Sequence, residues 1–193
     1  MKSVTPLLVM LLMSAFLLLT VEVTRAKSVP FNVDVCVNAM AWQESNNGKN
    51  KKMLAAKHHC NRDPFKKADK YISCGVFQIR MTYFHDCAER GASFKSVRDA
   101  WARAGLTKRK KGQTMKALIA KRSALQATID AWHKTGTDRA YATKCVKSYY
   151  KRYKSKCKSA QRKSCECMAR LHNGGPSGAK SKWTKGYWAE FQR

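Results

Sequence analysis

A carboxyl group with chemistry to offer stands at Glu44. Val33, Val37, Met40 and Ala41 recur at helical spacing, so residues 32–46 read as an amphipathic helix that Asn46-Asn47-Gly48 brings to a stop. Glu44 falls on the same face, near the negative pole of the helix dipole and in apolar surroundings. Both disfavour ionisation, so the group is expected to keep its proton longer than an exposed glutamate does. A carboxylic acid of that kind is a general acid, and paired with an ionised carboxylate it is the apparatus of glycoside hydrolysis. On helix position alone, a solvent-facing residue at a helix end is the plainer reading. Metal chemistry is not expected: Cys165-x-Cys167 is too tight for a zinc knuckle, and His58, His59, His85, His133 and His172 are not at finger spacing. No cofactor is implied either.

The elements that must position Glu44 follow from pattern. Residues 49–70 are polar and basic, with Asp63-Pro64 as a turn, and read as a loop leading into a strand or hairpin, for which the apolar, β-prone Tyr71 to Ile79 is the strand candidate. Helical patterning returns near Trp101, over Met115 to Trp132, and from about Tyr141 to Tyr153. The sum is helix-rich with a small sheet, an α+β arrangement. Two regions gather charge. Residues 91–130 carry ten Lys/Arg and two Asp; residues 144–163 carry nine Lys/Arg and no acid, with Tyr149, Tyr150 and Tyr153 interleaved. Such stripes suit phosphates or sulfates, with tyrosines stacking on bases or sugars; a solvated helix face is the alternative.

The 193 residues hold 39 Lys+Arg against 12 Asp+Glu, a formal +27 that draws the chain to polyanions. A hydrophobic share of 44% excludes a disordered basic tail, and the length fits one compact domain. Residues 1–26 read as a secretory signal: Lys2, an apolar run from Leu7 to Leu19, and a cleavage site ending at Ala26. The run is shorter than the ~20 apolar residues of a membrane span, so no transmembrane segment is expected. Its removal takes Lys2, Arg25 and Glu22 and leaves +26 on the mature chain. In an oxidising compartment Cys36, Cys60, Cys74, Cys87, Cys145, Cys157, Cys165 and Cys167 read as up to four disulfides, whose pairing spacing leaves open.

Several segments occur in a specific order: Ser73-Cys74-Gly75-Val76-Phe77-Gln78-Ile79, Tyr83-Phe84-His85-Asp86-Cys87, Lys144-Cys145-Val146 with Tyr149 and Arg152-Tyr153, and Cys165-Glu166 followed by Ala169 to Gly178 with its His172-Asn173-Gly174-Gly175-Pro176 turn. With Cys36, the Glu44-Ser45 pair and Gly186-Tyr187-Trp188, this order resembles the invertebrate-type, or destabilase-type, lysozymes over most of residues 36–188. The resemblance implies a lysozyme-like, disulfide-bonded α+β domain with a small antiparallel sheet over residues 27–193. It makes residues 91–130 a basic helical insertion. It also implies that Glu44 protonates the glycosidic oxygen of the β-1,4 linkage in bacterial peptidoglycan. The second carboxylate falls on Asp69 by its distance to Cys74, or on Asp63 by its distance from Cys60; the approach to the strand favours Asp69. Arg80, Tyr83, Phe84, Asp86, Tyr149 and His172 fall where the family lines its saccharide cleft, although Tyr83 and Phe84 also suit a core. Some members cleave isopeptide bonds with a serine and a histidine, for which Ser73 and His172 are the candidates.

The chain departs from the family where members carry cysteines at the positions of Ala39, Ala41 and Ala179. At roughly 2–4 kcal/mol per bridge the loss calls for a larger core, which residues 91–130 are expected to supply. The expected function is therefore a secreted, extracellular, monomeric muramidase drawn to anionic bacterial surfaces, with no specific nucleic-acid partner. Its rival is a non-catalytic cationic antimicrobial protein that binds polyanions on a degenerate lysozyme scaffold.

Overall fold

The computed structural model describes residues 30–46, 73–106 and 120–193, without the side chain of Arg122. The expected signal segment, Cys60, Asp63, Asp69, the stretch 49–70 expected as a loop, and residues 107–119 lie outside the described residues.

Helix α1 spans Val33–Ser45. The Asn32 side chain accepts from the Asp34 and Val35 amides at its start, and Asn46, at φ 48°, closes its end in the left-handed conformation. Cys36, Val37, Met40, Ala41 and Ser45 form the buried face. The stretch expected as a strand or hairpin is a tight antiparallel hairpin: β1 (Ser73–Cys74) pairs with β2 (Ile79–Arg80), Cys74 opposite Ile79. Gly75 at φ +70° and Gln78 at φ 49° reverse the chain between them. A Cβ on Gly75 would lie 2.4 Å from Thr135 O, so glycine is needed for the approach as well as for the turn.

Helix α2 (Met81–Ala88) follows directly, then α3 (Lys95–Arg103), α4 (Arg122–Thr137) and α5 (Arg139–Tyr153). The side chain of Asp138 caps α5 by accepting from the Tyr141 amide. Two buried indoles fix α4: Trp132 Nε1 donates to Ile79 O of the hairpin at 2.8 Å, and Trp101 Nε1 of α3 donates to Thr128 Oγ1 at 2.8 Å. Phe94, Val97, Trp101, Leu106, Ala124 and Trp132 are buried, so the basic stretch at 91–130 and its continuation contribute core. The sequence reading assigned no helix to α2, nor to α6 (Cys165–Gly174) or α7 (Trp183–Phe191), which are joined by a 3-10 segment at Gly175–Lys180. A Cβ on Gly178 would meet Arg170 O at 1.9 Å, which lets that segment fold back onto α6.

Among the described residues, three disulfides lock the helices. Cys36–Cys165 joins α1 to α6, Cys87–Cys145 joins α2 to α5, and Cys157–Cys167 joins the end of the α5 region to α6. Cys74 is disulfide-bonded as well. The first bridge spans 129 residues, the kind of long loop whose closure most restricts the unfolded chain. The fold is helix-rich α+β with a two-stranded sheet. Among the described residues no helix is long and apolar enough to cross a membrane.

Candidate functional site

Glu44 is the penultimate residue of α1, and its neighbour Ser45 determines where that end sits. The buried Ser45 hydroxyl lies 2.9 Å from Val76 O in the hairpin turn and 3.1 Å from Ala41 O. That contact ties the last turn of α1 to the hairpin and turns the Glu44 carboxyl toward α6. Glu44 keeps 15% of its side chain exposed, and its Oε1 lies 3.6 Å from His172 Nε2.

His172 is held by both ring nitrogens. Nε2 is 2.9 Å from Phe77 O, and Nδ1 is 3.1 Å from the Tyr83 hydroxyl. A carbonyl only accepts, so the proton sits on Nε2 and Tyr83 donates to Nδ1. Burial pushes the His172 pKa down against the opposing pull of Glu44 and Phe77 O. The imidazole beside Glu44 is therefore neutral at neutral pH and offers the carboxyl no cation. Tyr83 stacks on Tyr149 of α5, ring centroids 3.7 Å apart, and meets His172 edge-on. Burial first, then Tyr149, Tyr187 and Glu44, holds the Tyr83 hydroxyl protonated far above neutrality. The Tyr187 hydroxyl of α7 is buried beside Glu44; burial first, then that carboxylate, pushes its pKa far up too.

The opposite wall carries Asp86. Its Oδ2 accepts from the Tyr153 hydroxyl at 2.8 Å, and its Oδ1 lies 3.7 Å from Arg152, which also pairs with Glu89 and donates to Asp86 O. Burial and this bond push the Tyr153 pKa up to about 12. His85, Asp86 and Glu89 bring donor atoms within 4.8 Å of one another, among the described residues the one such group able to hold a metal. Arg152 already engages both carboxylates, so a guanidinium supplies the positive charge there.

These walls enclose a cleft of about 530 Å³. Of the residues expected at the site, Glu44, Arg80, Tyr83, Asp86, Tyr149 and His172 line it together. Phe84 does not: it is fully buried, edge-on to Phe94. Because Met81–Ala88 is helical, adjacent side chains point about 100° apart, so Tyr83 faces the cleft and Phe84 the core. Ser73 lines the cleft, but its hydroxyl donates to Gln78 Oε1 at 2.7 Å, and both His172 nitrogens are engaged elsewhere. The described contacts therefore do not pair Ser73 with His172. Gln78, not singled out in the sequence, also lines the cleft, as does Thr82 between the expected Arg80 and Asp86. Gln78 carried no turn signal, and Thr82 faces the cleft only because α2 is a helix. The Asn173 to Pro176 turn contributes the rim beside His172.

A family model described as Destabilase matches residues 107–193. The chain is 37% identical over 117 residues to Invertebrate-type lysozyme 3 of Caenorhabditis elegans, covering 61% of this chain and 63% of that protein. It is 31% identical over 122 residues to a lysozyme of Meretrix lusoria, covering 63% and 67%. It is 26% identical over 179 residues to a lysozyme of Ostrea edulis, covering 91% of each. The match thus spans a little under two thirds of the nematode relative's length. No solved structure matches the chain.

Proposed function

Since the chain belongs to the invertebrate-type, or destabilase, lysozyme family, we propose that it is a secreted glycoside hydrolase that cuts the β-1,4 linkages of bacterial peptidoglycan. The observation that carries this reading is the placing of Glu44: a carboxyl at a helix end, largely buried, facing a sugar-sized cleft with a neutral histidine 3.6 Å away. Glu44 delivers the proton that the leaving glycosidic oxygen needs, from a carboxyl that faces the cleft.

The stacked Tyr83 and Tyr149 supply a flat wall for sugar rings, and Asp86 supplies a fixed acceptor for sugar hydroxyls. Asp69, or Asp63, is the ionised partner that attacks the anomeric carbon or stabilises the oxocarbenium-like transition state. A retaining enzyme needs its carboxyls ~5–5.5 Å apart, and an inverting one roughly 6.5–9.5 Å. Isopeptide cleavage takes no support from the Ser73 and His172 contacts. Disulfide bonding supports secretion, and the +26 mature charge supports concentration at anionic surfaces.

The test is clearing of a peptidoglycan suspension by oxidised protein. Glu44→Gln is expected to lower the rate by about 10²–10⁴-fold, with loss in only one of Asp69→Asn and Asp63→Asn naming the second carboxylate. Clearing that survives Glu44→Gln would overturn the reading and leave the cationic surface as the active part.

A further inference from the structure

Past the cleft wall, the chain gathers positive charge and does not neutralise it. Of the seven Lys/Arg between residues 151 and 163, only Arg152 turns inward, to Asp86 and Glu89. Lys151, Lys154, Lys156, Lys158, Arg162 and Lys163 are exposed, no acid lies among them, and among the described residues none has an ion pair. Nearby Glu166 is taken by Arg170. Like charges gathered this closely repel one another, yet the stretch is folded into two 3-10 turns. It is held by Tyr153, by the Cys157–Cys167 bridge, and by the Tyr150 hydroxyl donating to Arg162 O. It also begins at the cleft: Arg152 and Tyr153 hold Asp86 from behind, and the next residues are the exposed lysines.

We infer that residues 151–163 are a docking site for a linear, phosphate-bearing polymer of the bacterial wall, laid beside the cleft so that the glycan it accompanies is kept at Glu44. In placing that polymer on a bacterial wall the inference rests on the proposed hydrolase. Two features select a flexible polymer over a bilayer. The exposed positions of the stretch carry no aliphatic or aromatic side chain beyond Ala160, so nothing anchors it in an acyl layer. Five of the six free cations are lysines, compact hydrated point charges suited to a mobile row of phosphates rather than to forked recognition of one group.

The experiment titrates full-length oxidised protein with inorganic polyphosphate over a range of salt. It compares wild type, Lys154→Gln/Lys156→Gln/Lys158→Gln/Lys163→Gln, and a control of equal charge, Arg90→Gln/Arg103→Gln/Lys121→Gln/Arg193→Gln. The loop variant is expected to bind at least about tenfold more weakly, with a log-log salt slope about three units shallower, because each phosphate contact releases ~0.7 of a counterion on a flexible polyanion. The control should lose less than half as much. Equal loss in both variants would mean that net charge alone binds, and the inference would fail. It would fail too if the loop variant kept polyphosphate but lost vesicles of anionic phosphatidylglycerol, since the occupant would then be a bilayer. Lys154→Gln/Lys163→Gln should give about half the effect, which separates graded contact loss from misfolding. Hydrolysis of a short soluble peptidoglycan fragment should not change in the loop variant. If wild type fails to hydrolyse that fragment, the hydrolase reading falls while the polyphosphate comparison still stands.

Discussion

Two inward-turned arginines, half-buried Arg152 and buried Arg170, are built from the same chemistry and do different things. Each leaves only 10% of its side chain exposed and each reaches a carboxylate. Arg170 spends its fork on a joint: Nη1 donates to Glu166 Oε1 at 2.8 Å, Nε to Thr184 Oγ1 at 3.0 Å, and Nη2 to Ser181 O at 3.1 Å. Those partners belong to α6, to the residues just before α7 and to α7 itself, so the guanidinium staples the C-terminal helices together. Arg152 spends its charge on Asp86 of α2 and on Glu89 just past its end, and Asp86 opens onto the cleft. What separates a staple from a site residue is whether the carboxylate it holds faces packed protein or a cavity.

The largest effect is expected where the staple is cut. Arg170→Ala leaves Glu166 partly buried beside Gln161 alone and frees the Thr184 hydroxyl to keep only its own bonds to Gly178 O and Ser181 O. Breaking a buried pair from one side costs about 3–5 kcal/mol, visible as a fall in the urea midpoint. The fraction that stays folded should clear peptidoglycan like wild type. A loss below about 1 kcal/mol would put Arg170 among ordinary surface ion pairs and remove one side of the comparison.

The sequence shows some of this and hides the rest for identifiable reasons. Helices α1 and α5 were legible because apolar spacing and end signals agree there: Val33 to Ala41 with a stop at Asn46-Asn47-Gly48, and Tyr141 to Tyr153. A strand or hairpin was legible because Tyr71 to Ile79 is β-prone throughout, but the place of its turn was not, since that depends on Gln78 adopting a positive φ, which no composition signal announces. Helix α2 was hidden by the β-prone Thr82, Tyr83 and Phe84; packing through Phe84 and the Cys87–Cys145 bridge outweighs that preference. The helix explains the one cleft expectation that landed elsewhere, Phe84. Motif order pointed to Glu44, Tyr149 and His172, which line one cleft, but it carried no sign that Arg152 and Arg170 would differ. That depends on which acid each meets across the fold.

Cutting at Arg152 should cost less stability and more function. Glu89 is 40% exposed and Asp86 26%, so water takes over part of the lost solvation, and about 1–3 kcal/mol is expected. Asp86 then keeps only the Tyr153 hydroxyl and loses its fixed direction at the cleft wall. With a soluble peptidoglycan fragment, Arg152→Ala should raise KM about tenfold, ~1.4 kcal/mol of binding, with a smaller change in kcat. Arg152→Lys should not restore KM, because one ammonium cannot span Asp86 Oδ1, Asp86 O and Glu89 together. An unchanged KM in Arg152→Ala would make Arg152 a second staple.

The smallest effect is the most discriminating, because it reads charge beside a third residue. His85 is buried against Trp101, ring centroids 4.7 Å apart. Burial holds its pKa below the ordinary histidine value; Asp86 and Glu89 pull it up and Arg152 pushes it down. Below about pH 6.5, the ordinary value for histidine, the unfolded chain therefore binds a proton that folded His85 resists, and stability falls as pH drops. Removing Arg152 takes away one cause of the depression and leaves the two acids acting on the ring, so the folded pKa rises toward the unfolded one. The decline in urea midpoint from pH 7 to pH 5 should accordingly be shallower in Arg152→Ala than in wild type. In Arg170→Ala, where no histidine shares the cluster, the decline should keep the wild-type slope from a lower start. If both variants kept the wild-type slope, the Arg152 charge would not reach His85, and Arg152 would act on the cleft through Asp86 alone.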